Sequence, residues 1–264
     1  MTVTSIRSEP IMALRQIGVA YRKRHGLIKH RRVWALKEVT FDLFQGESLG
    51  IIGRNGVGKS TLLQLLAGII APDRGRIIAP GVRAALLSLS TGFDKRLTGR
   101  DNVILSGLLL GLSRETVRRN MNTIIEFAGL EDEADEPVGT YSSGMKARLG
   151  FSVAIMADPD VLLVDEVLGV GDAEFREKSA RTIRERINSD RTVVLVSHNT
   201  KVIEQNCDRA VWIENGVVMA AGDTTTVVNR YLGSRNVARA ARGAGQSAAS
   251  EHDLAERGKL HRVQ

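Results

Sequence analysis

One cysteine, Cys207, is all the thiol chemistry in this chain of 264 residues. No intrachain disulfide can form, which suits the cytosol and makes Cys207 a buried apolar filler. Long hydrophobic runs are missing as well. The longest, about Val103 to Leu112, falls well short of the roughly 20 residues that span a bilayer. The N-terminus has no apolar segment of the kind a secretory signal requires. Aromatic residues make up only 4% of the chain and form no stacking platform. With no reading helix either, nucleic acid is not expected as a partner, despite a net charge of +7. No internal repeat occurs. The length suffices to bury a sizeable core as one α/β domain with a helical insertion.

What is present is chemistry for phosphate. The run Gly53-Arg54-Asn55-Gly56-Val57-Gly58-Lys59-Ser60-Thr61 is a complete P-loop. It follows the apolar stretch Leu49 to Ile52 and precedes Leu62 to Leu66, the strand–loop–helix context in which the motif works. Its glycines let the backbone wrap an anion with N–H groups turned inward. The new helix adds the positive end of its dipole. Lys59 is expected to reach the β- and γ-phosphates, and Ser60 to hold Mg²⁺ through its hydroxyl. The chain is therefore expected to bind a nucleoside triphosphate.

Three further segments specify the kind of P-loop protein. Val161-Leu162-Leu163-Val164-Asp165-Glu166 reads as a buried parallel strand with its chemistry at the C-terminal end. Asp165 would orient Mg²⁺, and Glu166 is the natural general base for an attacking water. Arg191 to His198 is a second buried strand, ending on a histidine. A histidine there is either a capped polar residue or a catalytic one. Parallel-sheet geometry puts it at the same edge as Lys59 and Glu166 and favours the second reading. Thr140-Tyr141-Ser142-Ser143-Gly144-Met145 opens a helical stretch. It is either a capped helix start or a second anion cradle. One chain has no use for a second cradle, so it would serve a nucleotide held by another copy.

Together these residues resemble the ATP-binding subunits of ABC transporters over about residues 12 to 232. Gly53 to Thr61 matches Walker A, and Val161 to Glu166 matches Walker B with its catalytic glutamate. Gly171-Asp172 looks like the D-loop and His198 like the switch histidine. Tyr141-Ser142-Ser143-Gly144-Met145 stands where the family carries its signature. The resemblance implies an ABC ATPase fold: an α/β P-loop core with a mostly parallel sheet, an antiparallel β-subdomain and a helical subdomain. It implies ATP and Mg²⁺ as cofactors, and a homodimer that sandwiches two ATP molecules, each between the P-loop of one subunit and the signature of the other. It also implies a separate polytopic membrane permease and a peripheral position on the cytoplasmic face of the inner membrane. The YSSGM signature occurs with Leu97-Thr98-Gly99-Arg100-Asp101-Asn102, Gly53-Arg54-Asn55-Gly56 and Val164 to Asp172. In this company it looks like the subfamily that exports lipid-linked polysaccharides such as O-antigen, teichoic acid, capsule and galactan. ATPases of drug or lipid exporters share every catalytic residue and are the alternative. Soluble ABC ATPases that act on ribosomes or DNA carry paired ATPase units or long coiled-coil insertions, and neither occurs here.

The boundaries implied are an N-terminal extension over 1–11, the ATPase domain over 12–232 with its helical subdomain about 97–150, and a flexible tail over 233–264. Two departures from the family stand out. No glutamine occurs from Gly81 to Asn102, leaving Ser88 and Asp94 as the nearest polar candidates for the missing Q-loop contact. With only a short tail beyond Leu232, the carbohydrate-binding β-sandwich that some O-antigen exporters append is not expected. Ile11 to Ala20 reads as a strand, then a polar stretch, then Ala35 to Phe44 as its antiparallel partner. Leu97 to about Val138 reads as helical, with Ser113 capping a helix start. Asn215-Gly216 between two apolar runs predicts a hairpin. The polar stretch holds Arg22, Lys23, Arg24, Lys29, Arg31 and Arg32. It is either a solvated loop or a patch for anionic headgroups and a lipid-pyrophosphate substrate. Tyr21 stands where the family places the aromatic that stacks on adenine, with Trp34 as the other candidate.

Overall fold

Lys59, Asp165 and His198, far apart in the chain, are gathered at one edge of a central sheet by three short strands. In this computed structural model, which describes residues 9–25, 29–87, 92–165 and 172–236, those strands are β3 (Ser48–Ile52), β6 (Val161–Val164) and β7 (Thr192–Val196). Every residue of all three is buried. Parallel strands covered on both faces need continuous apolar runs, and these sequences supply them. β7 lies between the other two, with Ile51 opposite Val196 and Val164 opposite Leu195. Three parallel neighbours in this register finish side by side, so the residues that follow them meet at one edge.

The remaining strands are β1 (Met12–His25), β2 (Lys29–Leu43), β4 (Arg74–Ile78), β5 (Ala84–Leu87), β8 (Arg209–Glu214) and β9 (Val217–Asp223). Among the described residues they form one sheet in the order β4-β1-β2-β9-β8-β3-β7-β6-β5. The β5, β6, β7, β3 and β8 strands are mutually parallel, whereas β4, β1 and β2 are antiparallel. The predicted hairpin joins β8 to β9, with Asn215 and Gly216 both at positive φ (51° and 79°), as a two-residue turn of this type demands. Packed on the core are α1 (Lys59–Leu66), α5 (Ala173–Ile187), α6 (Thr200–Asn206) and a last helix, α7 (residues 224–236). The half-buried Cys207 thiol sits beside Gly50 on β3, where a methyl group would lie only 3.3 Å from its sulfur, and burial pushes its pKa up to about 12.

The helical subdomain comprises α2 (Gly99–Leu109), α3 (Arg114–Ala128) and α4 (Ser143–Met156). It has its own core, built on Val103, Val117, Ile125, Tyr141 and Leu149. Ser113 caps α3 by accepting from the Thr116 N–H, as predicted. The helical pattern does not run unbroken to Val138. Gly129, at φ 60°, ends α3, and a turn and a short 3-10 segment (Val138–Thr140) follow. Three phenylalanines tie the subdomain to the core: Phe151 of α4 stacks on Phe127 of α3 at 6.0 Å and meets Phe175 of α5 edge-on at 5.6 Å.

Two expectations need correction. The polar stretch after Ala20 is not a loop: β1 runs to His25 and β2 starts at Lys29. Arg22, Lys23, Arg31 and Arg32 are all exposed, so no apolar alternation betrays the strands. The last helix also runs on to residue 236, past the boundary expected at 232. Residues 1–8, much of the expected tail (237–264), Ser88, Glu166 and Gly171 lie outside the described residues.

Candidate active site

The P-loop follows β3 and closes on α1. Gly58, the residue before the helix, has φ 103°, and a methyl group on it would lie 2.6 Å from the Ala35 carbonyl oxygen. Only glycine fits there. Gly56, at φ 81°, has open space where its side chain would be. No side chain caps α1, so its first N–H groups depend on the loop or a bound anion. Lys59 is 8% exposed, and its ammonium donates to the Gly53 carbonyl (2.8 Å) and the Arg54 carbonyl (3.1 Å). Burial lowers its pKa, against the pull of Asp165 and Glu214.

Asp165 follows β6, and its carboxylate accepts from the Ser60 hydroxyl at 3.4 Å. Burial raises its pKa, while the Ser60 bond and Lys59 pull it back. A hydroxyl and a carboxylate held together beside a phosphate cradle are the hard oxygen donors that Mg²⁺ takes, with phosphates completing the shell. The residues fit the ion. His198 follows β7 and is exposed. Its flanks are fixed: the Ser197 hydroxyl oxygen accepts from the Asn199 N–H (3.1 Å), and the Asn199 side chain accepts from the Lys201 N–H (3.0 Å) to open α6.

The signature residues divide. Ser142 caps α4 by accepting from the Met145 N–H (3.1 Å), while the Met145 sulfur accepts from the Ser142 N–H (3.4 Å). Ser142 and Ser143 are exposed. Tyr141 is 3% exposed, inside the helical subdomain core, and its hydroxyl donates to the Glu133 carbonyl. Its side chain therefore cannot meet a nucleotide on another copy, which corrects the expectation for that one residue. Asp172 caps α5 by accepting from the Phe175 N–H (2.9 Å), and Arg148 of α4 pairs with it at 3.3 Å. The Phe175 N–H and Arg148 hold its carboxyl below the usual range.

Tyr21 is 47% exposed, with its hydroxyl 3.3 Å from the Thr61 hydroxyl on α1. Trp34 lies elsewhere. It is the cross-strand partner of Ala20, whereas Tyr21 pairs with Val33, and successive residues of a strand point to opposite faces. Arg32 and Arg74 stand over the Trp34 ring at 5.1 and 4.5 Å from its centroid, and a methyl group on Gly18 would lie 2.9 Å from it. Trp34 has its stacking partners already.

Sequence reasoning missed Arg148 and the structural role of Asn102, which is fully buried and donates to the Asp94, Leu97 and Thr98 carbonyls. The clustering of polar residues in Leu97 to Asn102 was the available signal for Asn102. Asp94, a candidate for the missing Q-loop contact, is engaged by Arg96 at 2.7 Å, which holds its pKa at about 2.

The family described as ABC transporter matches residues 36–169. The O-antigen export system ATP-binding protein RfbB of Klebsiella pneumoniae is 45% identical over 205 residues, covering 78% of this chain and 83% of that protein. The teichoic acids export ATP-binding protein TagH of Lactococcus lactis is 41% identical over 198 residues, covering 75% of this chain and 42% of TagH. Among solved structures, the ATP-binding cassette MJ0796, a dimer bound to ADP and Pi, superposes with a TM-score of 0.66 at 22% identity, over 81% of this chain and 98% of that one.

Proposed function

This chain belongs to the ABC transporter ATP-binding family, and from that premise we propose that its ATP hydrolysis powers export of a lipid-linked polysaccharide. The observation that carries the ATPase half is that β3, β6 and β7 run in parallel register, so that the segments bearing Lys59, Asp165 and His198 leave the sheet at one edge, with the Ser60 hydroxyl 3.4 Å from Asp165. The glycan half rests on the names of the relatives and on the YSSGM signature.

ATP enters the P-loop with its β- and γ-phosphates toward the α1 N-terminus. Lys59 exchanges its two loop carbonyls for phosphate oxygens, recovering for its charge the stabilisation that burial withholds. The Tyr21 ring stacks on adenine. Support comes from its exposure and its contact with Thr61, and from the two arginines, Arg32 and Arg74, already stacked on Trp34. Ser60 and Asp165 would hold Mg²⁺, which when bound offsets phosphate charge. Glu166 takes a proton from the attacking water as its oxygen bonds to the γ-phosphorus and the bond to ADP breaks. His198 donates to the γ-phosphate. Ser142, Ser143 and Gly144 of one subunit close over the nucleotide held by Gly53 to Thr61 of the other. The working unit is thus a homodimer, with Asp172 at the seam between its sites.

No helix among the described residues is long and apolar enough to cross a membrane, and a transport step needs a conduit. A groove of about 430 Å³ between core and helical subdomain is lined by Ile69, Leu86, Phe93, Leu109 and Leu110. Leu109 is 72% and Ile69 58% exposed, a large apolar outlay for a surface. We assign it to a cytoplasmic segment of the membrane permease, which sets the subunit on the cytoplasmic face of the inner membrane. Arg22 and Arg32, cross-strand partners on the Trp34 face of the hairpin, then serve anionic headgroups or the glycolipid diphosphate.

The test is transport into inverted vesicles containing the permease, with ATP supplied outside and lipid-linked glycan in the bilayer. Glycan protected inside the lumen only when ATP and this subunit are both present is the expected result. ATP turnover with unchanged glycan distribution, but movement of an unglycosylated lipid or drug, would reject the substrate class.

A further inference from the structure

The signature is carried on a segment that is pinned along its whole approach. The Val138 N–H donates to the Leu97 carbonyl (2.9 Å), the Gly139 N–H to the Lys95 carbonyl (2.8 Å), the Gly99 N–H to the Glu136 carbonyl (3.2 Å), and the Arg100 N–H to the Ala134 carbonyl (3.0 Å). Residues 95–100 and 134–139 are thereby zipped together. Asn102, with no exposed surface, fastens the first of the two to the start of α2. The zipper ends at Tyr141, one residue before the Ser142 cap of α4.

Tyr141 is the last peg. Its ring fills the helical subdomain core and its hydroxyl is spent on the Glu133 carbonyl. Directly over that hydroxyl sits Gly99, the first residue of α2: a methyl group there would overlap the phenol oxygen and lie 2.9 Å from the Ala134 carbonyl. The φ of Gly99 is not in the positive range that demands glycine, so the glycine answers to space and not to backbone conformation. A hydroxyl exists at 141 and a side chain is absent at 99 because the two occupy one volume.

We propose that Tyr141 and Gly99 form a matched pair that positions Ser142, Ser143 and Gly144 for the nucleotide of the opposite subunit. The inference rests on the trans reading of the signature given above. Tyr141 is a positioning residue: it touches no reacting atom, and acts by fixing where the α4 N-terminus points. Loss of the hydroxyl keeps the ring and the core, frees the Glu133 carbonyl and loosens the last step of the zipper. The P-loop of the same chain, on a different helix and strand, is unaffected.

The experiment compares Tyr141→Phe, Gly99→Ala and their combination in the full chain, reading nucleotide Kd, kcat and KM. Tyr141→Phe is expected to leave ATP affinity within twofold and to lower kcat five- to tenfold. Gly99→Ala, which drives the hydroxyl off its acceptor, should lose more. Adding Tyr141→Phe to Gly99→Ala should recover part of kcat, because the overlapped atom is gone while the closeness to the Ala134 carbonyl remains. Two lesions that merely weaken folding would compound, and a double variant worse than either single would overturn the pairing. Mixed dimers locate the effect. With Tyr141→Phe and Lys59→Ala on one chain, both composite sites carry a lesion and activity should fall well below the arrangement with the two on separate chains. Gly144→Asp in place of Tyr141→Phe is the control. If it follows this pattern while Tyr141→Phe leaves kcat unchanged, the positioning role is refuted and the trans reading stands. If Gly144→Asp itself ignores the arrangement, the trans reading fails.

Discussion

Replacing Lys59 by Met separates the cost of holding a buried charge from its use. In the wild type the residue is buried, burial depresses the pKa of its ammonium, and the partners of that group are the carbonyls of Gly53 and Arg54. Met fills a similar volume without a charge. Its loss of two hydrogen bonds from a charged donor, roughly 1.5–3 kcal/mol each, is offset by relief of the desolvated charge. The nucleotide-free protein should therefore melt within about 3 °C of wild type, at about 2–4 °C per kcal/mol for a chain of this size. The ligand-bound protein should differ sharply. ATP at a hundred times its Kd stabilises by about 2.7 kcal/mol, a rise of roughly 5–11 °C. A charged hydrogen bond to phosphate is worth about 1.5–3 kcal/mol, so its loss raises Kd on the order of a hundredfold. The same ATP concentration then gives about 0.4 kcal/mol and a shift of under about 2 °C. Differential scanning fluorimetry with and without ATP reads both quantities. A Met variant that keeps the full ATP-induced rise would refute the role given to Lys59. A nucleotide-free protein that collapses by more than 10 °C would show that the ammonium is a structural strut.

Glu166→Gln should bind ATP and fail to turn it over, accumulating a dimer that light scattering reads as a doubled mass; hydrolysis near the wild-type rate would remove Glu166 from the mechanism. Tyr21→Ala should raise KM for ATP about tenfold, in line with roughly 1–1.5 kcal/mol for an aromatic stack, while Trp34→Ala leaves it within twofold; the reverse order would exchange their roles. Changing Arg22 and Arg32 together to Gln should lower glycan export in cells and leave ATPase of the purified subunit unchanged, and equal losses in both assays would draw the hairpin into nucleotide binding. Asp94 carries a depressed pKa of about 2 in the fold against about 3.9 in an unfolded chain. Its contribution to stability is complete above about pH 4 and lost as pH falls through about 2. Asp94→Asn should flatten the pH dependence of thermal unfolding across that window, and an unchanged slope would exclude the Arg96 pair as its source.

The chemistry was legible because it is local. Gly53 to Thr61 and Val161 to Asp165 each hold strand, turn and functional group within a few residues, and buried parallel strands announce themselves as unbroken apolar runs. Asn215-Gly216 and the Ser113 cap were legible for the same reason. The reach of β1 and β2 was not: with exposed basic residues on both faces of the hairpin, no period marks the strands. Nor could composition assign Arg22 and Arg32 to one face and Lys23 and Arg31 to the other; that follows from register. Tyr141 read as part of a ligand cradle since its neighbours are small and polar, yet its ring was claimed by a core assembled from α2, α3 and α4. The Arg148–Asp172 pair joins residues 24 apart across two helices, and neither has a local pattern that names the other.

The thiol of Cys207, set against Gly50 and held at a pKa of about 12, has a use at the bench. A thiol raised this far holds little thiolate near neutral pH, and the thiolate is the species that reacts with maleimides and disulfides. The Cys207 thiol is therefore expected to react slowly with thiol reagents, so that introduced cysteines can be labelled ahead of it. A cysteine introduced at exposed Asn55 and another at exposed Ser143 would be the fast-reacting thiols in the molecule, so bifunctional reagents could span P-loop and signature and report, bond by bond, whether the two copies meet head to tail.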